Sequence, residues 1–211
     1  KTGINLLPGG YIMKMKLLMR GPSPFGRKCT FATQYLGLSD KIKISEPENE
    51  DQIRSLNPLA KVPVLVCDDG VTIFDSRVIL EFLDDLAGGG KIIPSDAAAR
   101  FDALCFAAMA DGILEAALLI TYEGRYRSDQ EPYEPWLKFQ QGKIQRALEA
   151  MSKAPPATAP LTVSSIGLGC ALEYMDFRKQ YDWRPEFPAL VAWLNDFNAT
   201  YSTFSESRPS D

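Results

Sequence analysis

The sequence predicts a small α/β unit, with strands and helices in the order β-α-β-α-β-β-α, followed by an all-helical bundle. Three observations predict it. Short apolar runs alternate with helical periodicity over the first 87 residues, glycine and proline cluster over residues 88–95, and only helical periodicity follows. We therefore expect an α/β domain over 14–87, a linker over 88–95 and an all-helical domain over 96–211.

The α/β unit is predicted to begin with a strand and a helix. Met15 to Met19 is a short apolar segment typical of a buried strand, and Gly21-Pro22-Ser23-Pro24 ends it and opens a helix. Gly37 is suited to end that helix as its C-cap. The apolar residues of the helix recur at helical spacing: Phe25, Cys29, Ala32 and Leu36.

A strand, a polar stretch and a hairpin come next. Ile42 to Ile44 predicts a second strand, and residues 46–56 have room for one or two helical turns. Val62 to Cys67 and Val71 to Phe74 flank Asp68-Asp69-Gly70. A glycine-containing acidic turn between two apolar runs indicates a β-hairpin.

A helix over 76–87 completes the α/β unit. A βαβ unit followed by a hairpin and a covering helix is the thioredoxin-like arrangement. We expect the buried face of this helix to consist of Val78, Ile79, Phe82, Leu83 and Leu86.

Beyond the linker, four helices are predicted. Residues 96–125 contain no proline and are rich in alanine and leucine, and residues 132–152 form a second helix. Thr162 is a side-chain cap for a third, and Pro188 opens the last. The polar tail from Ser202 onward is expected to fray.

Composition narrows the partners and the location. The 211 residues are 45% hydrophobic and 24% charged with a net charge of −4, so we expect neither nucleic acid nor a membrane surface as a partner. No apolar run approaches the ~18 residues of a spanning helix. Four scattered cysteines without a Cys-x-x-Cys pair favour a reducing, cytoplasmic location. Residues 1–13 are interpreted as a leader or expression remnant, with the native start near Met13 or Met15.

Histidine is absent from the sequence. This excludes His-based catalytic triads, imidazole metal ligands and a histidine general base. Cysteines and carboxylates also lack metal-ligand spacing, so we predict no metal. The chemistry is therefore expected from hydroxyls, thiols, carboxylates, cations and backbone dipoles.

The most informative segment is Asn57-Pro58-Leu59-Ala60-Lys61-Val62-Pro63-Val64-Leu65. A proline before a short apolar strand cannot donate a ladder hydrogen bond, so Pro63 belongs at a strand's first position or on an edge. X–Pro bonds reach cis at low cost, which makes Val62–Pro63 a candidate cis bond. Such a turn leaves the Val62 N–H and C=O free to pair with an extended, peptide-like ligand.

Phe74-Asp75-Ser76 lies a short distance beyond this segment, where a helix should start. A helix start attracts carboxylates through its free N–H groups and its dipole. Together, the proline turn and this helix start predict a receptor for a small peptide that carries a carboxylate.

Four motifs resemble those of the cytosolic glutathione transferases. Ser23-Pro24-Phe25-Gly26-Arg27-Lys28 is similar to the Ser-Pro-aromatic-x-Arg-Lys opening of many bacterial, serine-type members. Asn57-Pro58-x-x-Lys61-Val62-Pro63 is similar to the family's cis-proline loop, and Phe74-Asp75-Ser76 to its acidic-Ser ligand motif. Ala110-Asp111-Gly112-Ile113 resembles a stretch of the first long helix in bacterial members. The resemblance runs along nearly the whole chain after Met15.

The resemblance implies a glutathione site at the matching positions, with glutathione as co-substrate. Val62 would pair its backbone with the cysteinyl part of glutathione, and Lys61 would reach one of the carboxylates. Ser76 would bind the γ-glutamyl carboxylate through its hydroxyl and N–H, with Asp75 near the ammonium. The implied glutathione-binding residues are Phe25, Lys61, Val62, Pro63, Asp75 and Ser76.

The resemblance also implies that Ser23 carries the chemical step. Its hydroxyl would donate to the glutathione sulfur, with the helix N-terminus and Arg27 adding positive potential. Lowering a thiol pKa of ~8.5 by about two units takes roughly 2.7 kcal/mol, and a hydroxyl hydrogen bond to an anion supplies ~1.5–3 kcal/mol. The thiolate would then attack an electrophile or open a mixed disulfide. The alternative is that Ser23 only caps its helix.

Two features depart from the family pattern. Ser165, in Thr162-Val163-Ser164-Ser165, stands where the family usually has an Asp, so the reciprocal cap is expected to be weaker by ~0.5–1 kcal/mol. No cysteine occupies the Ser23 position, and Cys29 lies two turns into the helix, which argues against the omega-like and beta-like classes. The Ser-Ser-x-Cys signature of zeta-like maleylacetoacetate isomerases is also missing. Cys29 is expected in the core.

Several other residues have competing interpretations. Tyr122 and Tyr126, together with Trp136, would line an electrophile pocket, or their rings only pack. Lys28 is expected on a solvated face. For Asp111, one hypothesis is that it reaches across a dimer interface toward a bound ligand.

The leading prediction is a glutathione transferase-like enzyme of detoxification that forms a homodimer, because in this fold the active cleft lies beside the partner subunit. The alternative from another class is a non-catalytic scaffold or regulator, in which Pro63 is only structural and Asp75 and Ser76 only cap a helix. A glutathione-dependent dehalogenase, lyase or thiol reductase would use the same site.

Overall fold

A mixed four-stranded sheet forms the N-terminal part of the computed structural model, which describes residues 15–179 and 181–209. Its strands are β1 Met15–Leu18, β2 Ile42–Ser45, β3 Val64–Val66 and β4 Thr72–Ile73. They lie in the order β2-β1-β3-β4; β1 and β2 run parallel, whereas β3 is antiparallel to both β1 and β4. The predicted leader over 1–13 lies outside the described residues.

Three helices accompany the sheet: α1 Pro24–Tyr35, α2 Glu50–Leu56 and α3 Ser76–Leu86. α1 carries the chain from β1 to the parallel strand β2, a connection that parallel neighbours require. The β3–β4 hairpin turns at Gly70, whose φ of 83° suits glycine. The predicted thioredoxin-like order β-α-β-α-β-β-α is confirmed.

α1 lies very close to the end of β1. Gly26 makes this possible, since a Cβ at this position would stand 2.7 Å from Cβ of Met19. Any larger residue would force the helix and the strand apart. Gly26 therefore fixes where the start of α1, and Ser23 in front of it, sits relative to β1.

One carboxylate holds the segment between the two parts of the chain. Asp84, near the end of α3, is 5% exposed. It accepts the backbone N–H groups of Gly90 at 2.9 Å, Lys91 at 2.8 Å and Ile92 at 2.7 Å. The glycine-rich segment is therefore a turn anchored on α3.

Five helices follow: α4 Ala97–Tyr126, α5 Glu134–Lys153, α6 Val163–Arg178, α7 Pro188–Thr200 and α8 Ser202–Glu206. α6 is the central one, since every residue from Val163 to Met175 is buried. Thr162 and Ser165 form a reciprocal capping box at its start, with the Thr162 N–H donating to Ser165 Oγ at 3.0 Å. A serine therefore completes the box in this chain. The predicted all-helical second part is confirmed.

α4 is long and apolar enough, by length and composition, to cross a bilayer. An 18-residue window within its 30 residues reaches a mean hydropathy of 1.9, although the sequence shows no apolar run of that length. In the structure α4 packs against α5 and α6. Its buried side chains, including Ile113 and Leu114, supply part of the core.

The expectation that Val78 is buried is wrong. Val78 is 50% exposed, because α3 buries Ile79, Leu80 and Leu83 and adjacent residues of a helix point about 100° apart. The predicted buried face of α3 therefore included one residue, Val78, that lies outside it.

The expectation that the tail frays from Ser202 is also wrong. α8 begins at this residue, and its Phe204 is fully buried. The Phe204 ring packs edge-on against Phe31 and Phe197, with ring centroids 5.0 and 4.9 Å apart. Edge-to-face aromatic pairs stabilise by about 0.5–1.5 kcal/mol beyond their burial, so this aromatic cluster anchors the tail.

Candidate functional site

The loop before β3 is held by the side chain of Asn57, which is 2% exposed. Asn57 Nδ2 donates to the carbonyl oxygen of Lys61 at 2.9 Å, and Oδ1 accepts the Leu59 N–H at 3.0 Å. Ala60 adopts a left-handed φ of 52°, a strained conformation for a residue with a Cβ. The loop is therefore locally fixed, and it delivers Val62 in one orientation.

The Val62–Pro63 peptide bond is cis. Within residues 15–179 and 181–209, no backbone hydrogen bond engages the N–H or C=O of Val62. Pro63 is buried, Val62 half-buried and Lys61 exposed. Both polar groups of the Val62 backbone are therefore available to an extended ligand.

Three of the candidate segments meet at one end of the sheet. β1 ends at Leu18, which pairs with Val64 of the antiparallel strand β3, so the Ser23 turn and Val62 lie at the same end. α1 also packs against α3, and the carbonyl oxygen of Ser76 accepts a thiol hydrogen bond from α1 at 3.8 Å. The fold thus brings the starts of α1 and α3 to the proline turn.

Asp75 is the N-cap of α3. Its Oδ1 accepts the Arg77 N–H at 3.0 Å, and Oδ2 lies 3.1 Å from Arg77 Nη2. Partial burial acts to raise the pKa of Asp75, but the hydrogen bonds and charge of Arg77 outweigh it and hold this pKa below its ordinary value. Ser76 is 2% exposed. The start of α3 therefore offers an ionised carboxylate beside a helix N-terminus.

Arg77 is a site residue that the sequence analysis missed. Its side chain is 54% exposed and lies 3.8 Å from both Asp111 Oδ2 and Glu115 Oε1. The signal was present, since a cation two residues after an acidic N-cap is placed to pair with it. Arg77 links the start of α3 to the charged side chains of α4.

Ser23 is the N-cap of α1, and its Oγ accepts the Gly26 N–H at 3.1 Å. Pro24 follows as the first helical residue, where its missing N–H costs nothing. Ser23 and Phe25 are both half-buried. The helix cap is therefore real, and the Ser23 side chain also keeps access to solvent.

Arg27 does not supply free positive potential to this site. The Arg27 Nη2 group donates to Glu173 Oε2 and to the carbonyl oxygen of Phe204, both at 2.6 Å. Its guanidinium also lies 3.9 Å from the centroid of the Phe204 ring. A buried counter-charge on α6 compensates Arg27, so this residue joins α1 to the helical part and the expectation is corrected.

Two further expectations fail at Lys28 and Asp111. Lys28 is not on a solvated face: its side chain is 2% exposed and its Nζ donates to Asp111 Oδ1, on α4. The Asp111 side chain is 3% exposed, and Lys28 and Arg77 of the same chain lie against its two oxygens, so it does not reach out across a dimer interface. The physical reason is that burying either charge alone costs several kcal/mol, and the attraction between the two offsets this cost.

Cys29 lies in the core, as expected, and is fully buried. Burial raises the pKa of the Cys29 thiol far above its ordinary value. A thiol that is both inaccessible and protonated is a poor nucleophile. Cysteine-based thiol exchange at the start of α1 is therefore not available to this chain.

The rings of Tyr122 and Tyr126 pack against each other, whereas Trp136 packs against a different ring. The rings of the two tyrosines meet edge-on with centroids 5.2 Å apart, and Tyr126 is 73% exposed. Burial and the neighbouring Tyr126 raise the pKa of Tyr122. Trp136 stacks on Phe139 of α5 and lines a separate hollow.

No group of three or more His, Cys, Asp or Glu side chains within the described part of the chain is arranged to hold a metal ion.

Two family models match the chain. Residues 22–86 match the model described as Glutathione S-transferase, N-terminal domain, and residues 134–196 match Glutathione S-transferase, C-terminal domain. These ranges include the proline turn, the starts of α1 and α3, and the cap of α6.

Solved structures and a curated protein are similar over nearly the whole chain. A glutathione transferase family member of Pseudomonas fluorescens Pf-5, crystallised with bound glutathione, is 33% identical, with a TM-score of 0.86 over 93% of this chain and 100% of that one. A glutathione S-transferase of Methylobacillus flagellatus KT with glutathione bound is 27% identical, with a TM-score of 0.83 over 93% and 100%. The uncharacterised GST-like protein YibF of Escherichia coli K12 is 29% identical over 92% of this chain and 98% of its own.

Proposed function

Because this chain belongs to the glutathione transferase family, we propose that it binds glutathione and activates the thiol for attack on a small electrophilic substrate. The observation that carries the proposal is the Val62–Pro63 turn: the Val62 N–H and C=O make no backbone hydrogen bond within the described residues, and the turn lies at the same end of the sheet as the starts of α1 and α3. The glutathione bound in similar solved proteins supports the same ligand here.

The backbone of Val62 holds the cysteinyl part of glutathione in this proposal. A peptide-like ligand pairs with a free N–H and C=O as an added strand does. Because Asn57 holds the loop through the Lys61 carbonyl oxygen at 2.9 Å, little backbone ordering is left to occur on binding. The ammonium of exposed Lys61 reaches a ligand carboxylate, while buried Pro63 and half-buried Phe25 bound the site.

The start of α3 holds the γ-glutamyl end. Its free N–H groups and the Ser76 hydroxyl bind the carboxylate, an arrangement that stabilises an anion by about 0.3–1 kcal/mol through the helix dipole alone. Asp75 stays ionised at neutral pH because Arg77 holds its pKa low, and its carboxylate attracts the ligand ammonium. One helix start thus accommodates both charges of the glutamyl group.

Ser23 donates a hydrogen bond to the glutathione sulfur. Its Oγ already accepts the Gly26 N–H at 3.1 Å, which uses a lone pair and leaves the hydroxyl proton free to donate. Capping and catalysis are therefore compatible roles. The α1 dipole adds to the thiolate stabilisation, whereas Arg27 does not, because Glu173 compensates it. The electrophile lies beside Tyr122 and Tyr126.

A homodimer is part of this proposal. On the outer surface of α4, Phe101 and Met109 are 65% and 37% exposed, and Val78 on α3 is 50% exposed. An ion pair at 2.8 Å joins Glu81 of α3 to Arg100 of α4. We infer that these exposed apolar side chains belong to one interaction surface, with a second copy of the chain as its partner. A cytoplasmic location and a role in detoxification belong to the same proposal.

Calorimetric titration with glutathione tests the binding. We expect heat of binding from the unmodified chain and at least about tenfold weaker binding by Asp75→Ala, which is a loss of about 1.4 kcal/mol. Asp85→Ala, an exposed carboxylate at the far end of the same helix, is the matched control and binds normally. No heat from the unmodified chain would leave a scaffold of the same fold as the better account.

A further inference from the structure

A separate hollow opens in the helical part, between the end of α4 and the start of α5. Its volume is about 500 Å³, within the range of small-molecule pockets. It contains none of the residues proposed to hold glutathione or the electrophile. Its lining residues are Glu123, Arg127, Tyr133, Pro135, Trp136 and Phe139.

Exposed aromatic rings form one wall of this hollow. Trp136 and Phe139 stand about one turn apart on α5, stacked with ring centroids 6.0 Å apart and an interplanar angle of 26°. They are 37% and 56% exposed, and Tyr133 is 58% exposed. Three large rings facing a concave surface leave apolar area in water that a ligand would cover.

The two charges that line the hollow are already compensated. Glu123 Oε1 accepts the Tyr133 N–H at 3.2 Å and lies 3.5 Å from Arg127 Nη1. Arg127 also donates to Gln130 Oε1 at 2.7 Å. The Lys143 ammonium, 4.6 Å from the centroid of the Phe139 ring, donates to Gln140 Oε1 at 3.1 Å and so also has a partner. A charged ligand would have to compete with these bonds, so the surroundings of the hollow favour an uncharged one.

We propose that this hollow is a second ligand site, which binds an uncharged, planar aromatic molecule against the exposed surfaces of Trp136 and Phe139. The site works independently of the glutathione site. Tyr122 of the proposed electrophile pocket and Glu123 of the hollow are adjacent on α4, so their side chains point about 100° apart.

Tryptophan fluorescence reports on this site selectively, because Trp183 and Trp193 are only 1% and 7% exposed. The full chain is titrated with 5-nitroindole, an uncharged, flat, non-fluorescent quencher. We expect saturable quenching. Trp136→Phe keeps a stacking ring but loses the reporter, and it supplies the background from the two buried indoles. Phe139→Ala is expected to weaken binding roughly 2- to 12-fold, the effect of removing one aromatic pair.

Three controls distinguish binding at this site from non-specific binding of the probe. Tyr35→Ala removes an exposed ring from α1 and is expected to leave the affinity unchanged. The anion 5-nitroindole-2-carboxylate is expected to bind more weakly, and saturating glutathione is expected to leave 5-nitroindole binding unaltered.

Four outcomes would overturn the proposal. Quenching that rises linearly without saturation means collision only. Equal losses in Phe139→Ala and Tyr35→Ala mean no defined site, and displacement by glutathione places the probe in the glutathione cleft. Self-association is followed by sedimentation at increasing protein concentration. If probe binding disappears as the chain associates, a second copy covers the hollow instead.

Discussion

Lys28 on α1 and Asp111 on α4 form a buried ion pair that joins the two parts of the chain. Their side chains are 2% and 3% exposed. Arg77 approaches the same carboxylate at 3.8 Å, so the pair also touches the charged start of α3. Removing such charges from water costs several kcal/mol each unless they remain paired.

Breaking this pair from one side is expected to be severe. Asp111→Ala leaves Lys28 buried without its partner and should lower the free energy of unfolding by about 3–5 kcal/mol. The double variant Lys28→Met/Asp111→Leu removes both charges and should recover most of that loss. Urea unfolding measures all three proteins. A cost below about 1 kcal/mol for Asp111→Ala would mean that the pair is hydrated rather than buried.

Phe204 is expected to make the C-terminal segment part of the core. Phe204→Ala removes a fully buried ring from the cluster with Phe31 and Phe197 and should cost about 3–5 kcal/mol. Thr203→Ala, at the exposed neighbouring position, serves as control and should change stability by less than about 0.5 kcal/mol. Equal stabilities of the two variants would show that the tail is loosely attached.

Ionised Asp75 is expected to contribute to the free energy of unfolding, and this contribution is expected to be lost at acidic pH. Partial burial acts to raise the pKa of Asp75, but Arg77 outweighs this effect and lowers the pKa. The stabilisation is therefore complete above the unfolded-state pKa of ~3.9, and it is lost as pH falls through the lower folded-state pKa. The stability difference between the unmodified chain and Asp75→Asn, which keeps a good N-cap, should be constant above about pH 5 and shrink below about pH 4. It should stay under about 1 kcal/mol, because the side chain is 53% exposed. A difference that grows on acidification would contradict the Arg77 contact.

The four cysteines should differ sharply in reactivity. Cys105 is exposed, whereas Cys29, Cys67 and Cys170 are buried. Burial raises the pKa of all three buried thiols, that of Cys170 to about 11. A disulfide reagent at pH 8 should therefore modify one thiol rapidly in the folded chain and four in denaturant, and Cys105→Ser should abolish the fast phase. A fast thiol that survives in Cys105→Ser would mean that one of the three buried cysteines is accessible, contrary to the structure.

The order of elements could be predicted because the sequence carries local signals for it. Ser23 and Pro24 mark a helix start, Gly70 marks a turn that needs a positive φ, and Thr162 marks a cap. Each signal depends on a residue's own backbone chemistry. The structure uses all of them where the pattern predicts.

The charged residues could not be predicted because their partners are distant in sequence. Lys28 meets Asp111 and Arg27 meets Glu173 only after the two parts of the chain pack together. Local pattern predicts a solvated face for a Lys on a helix, and tertiary packing overrides it. Phe204 was missed for the same reason, since its aromatic partners lie on other helices.

The thiol pKa of bound glutathione tests the central claim most directly. Ultraviolet absorbance of the thiolate is followed against pH in the saturated complex, for the unmodified chain and for Ser23→Ala. We predict a thiol pKa about two units below the ordinary ~8.5 in the unmodified complex and a return toward the ordinary value in Ser23→Ala, with glutathione affinity largely kept. A bound thiol that titrates like free glutathione, or a lowered pKa that Ser23→Ala leaves unchanged, would contradict the proposed thiol activation by Ser23.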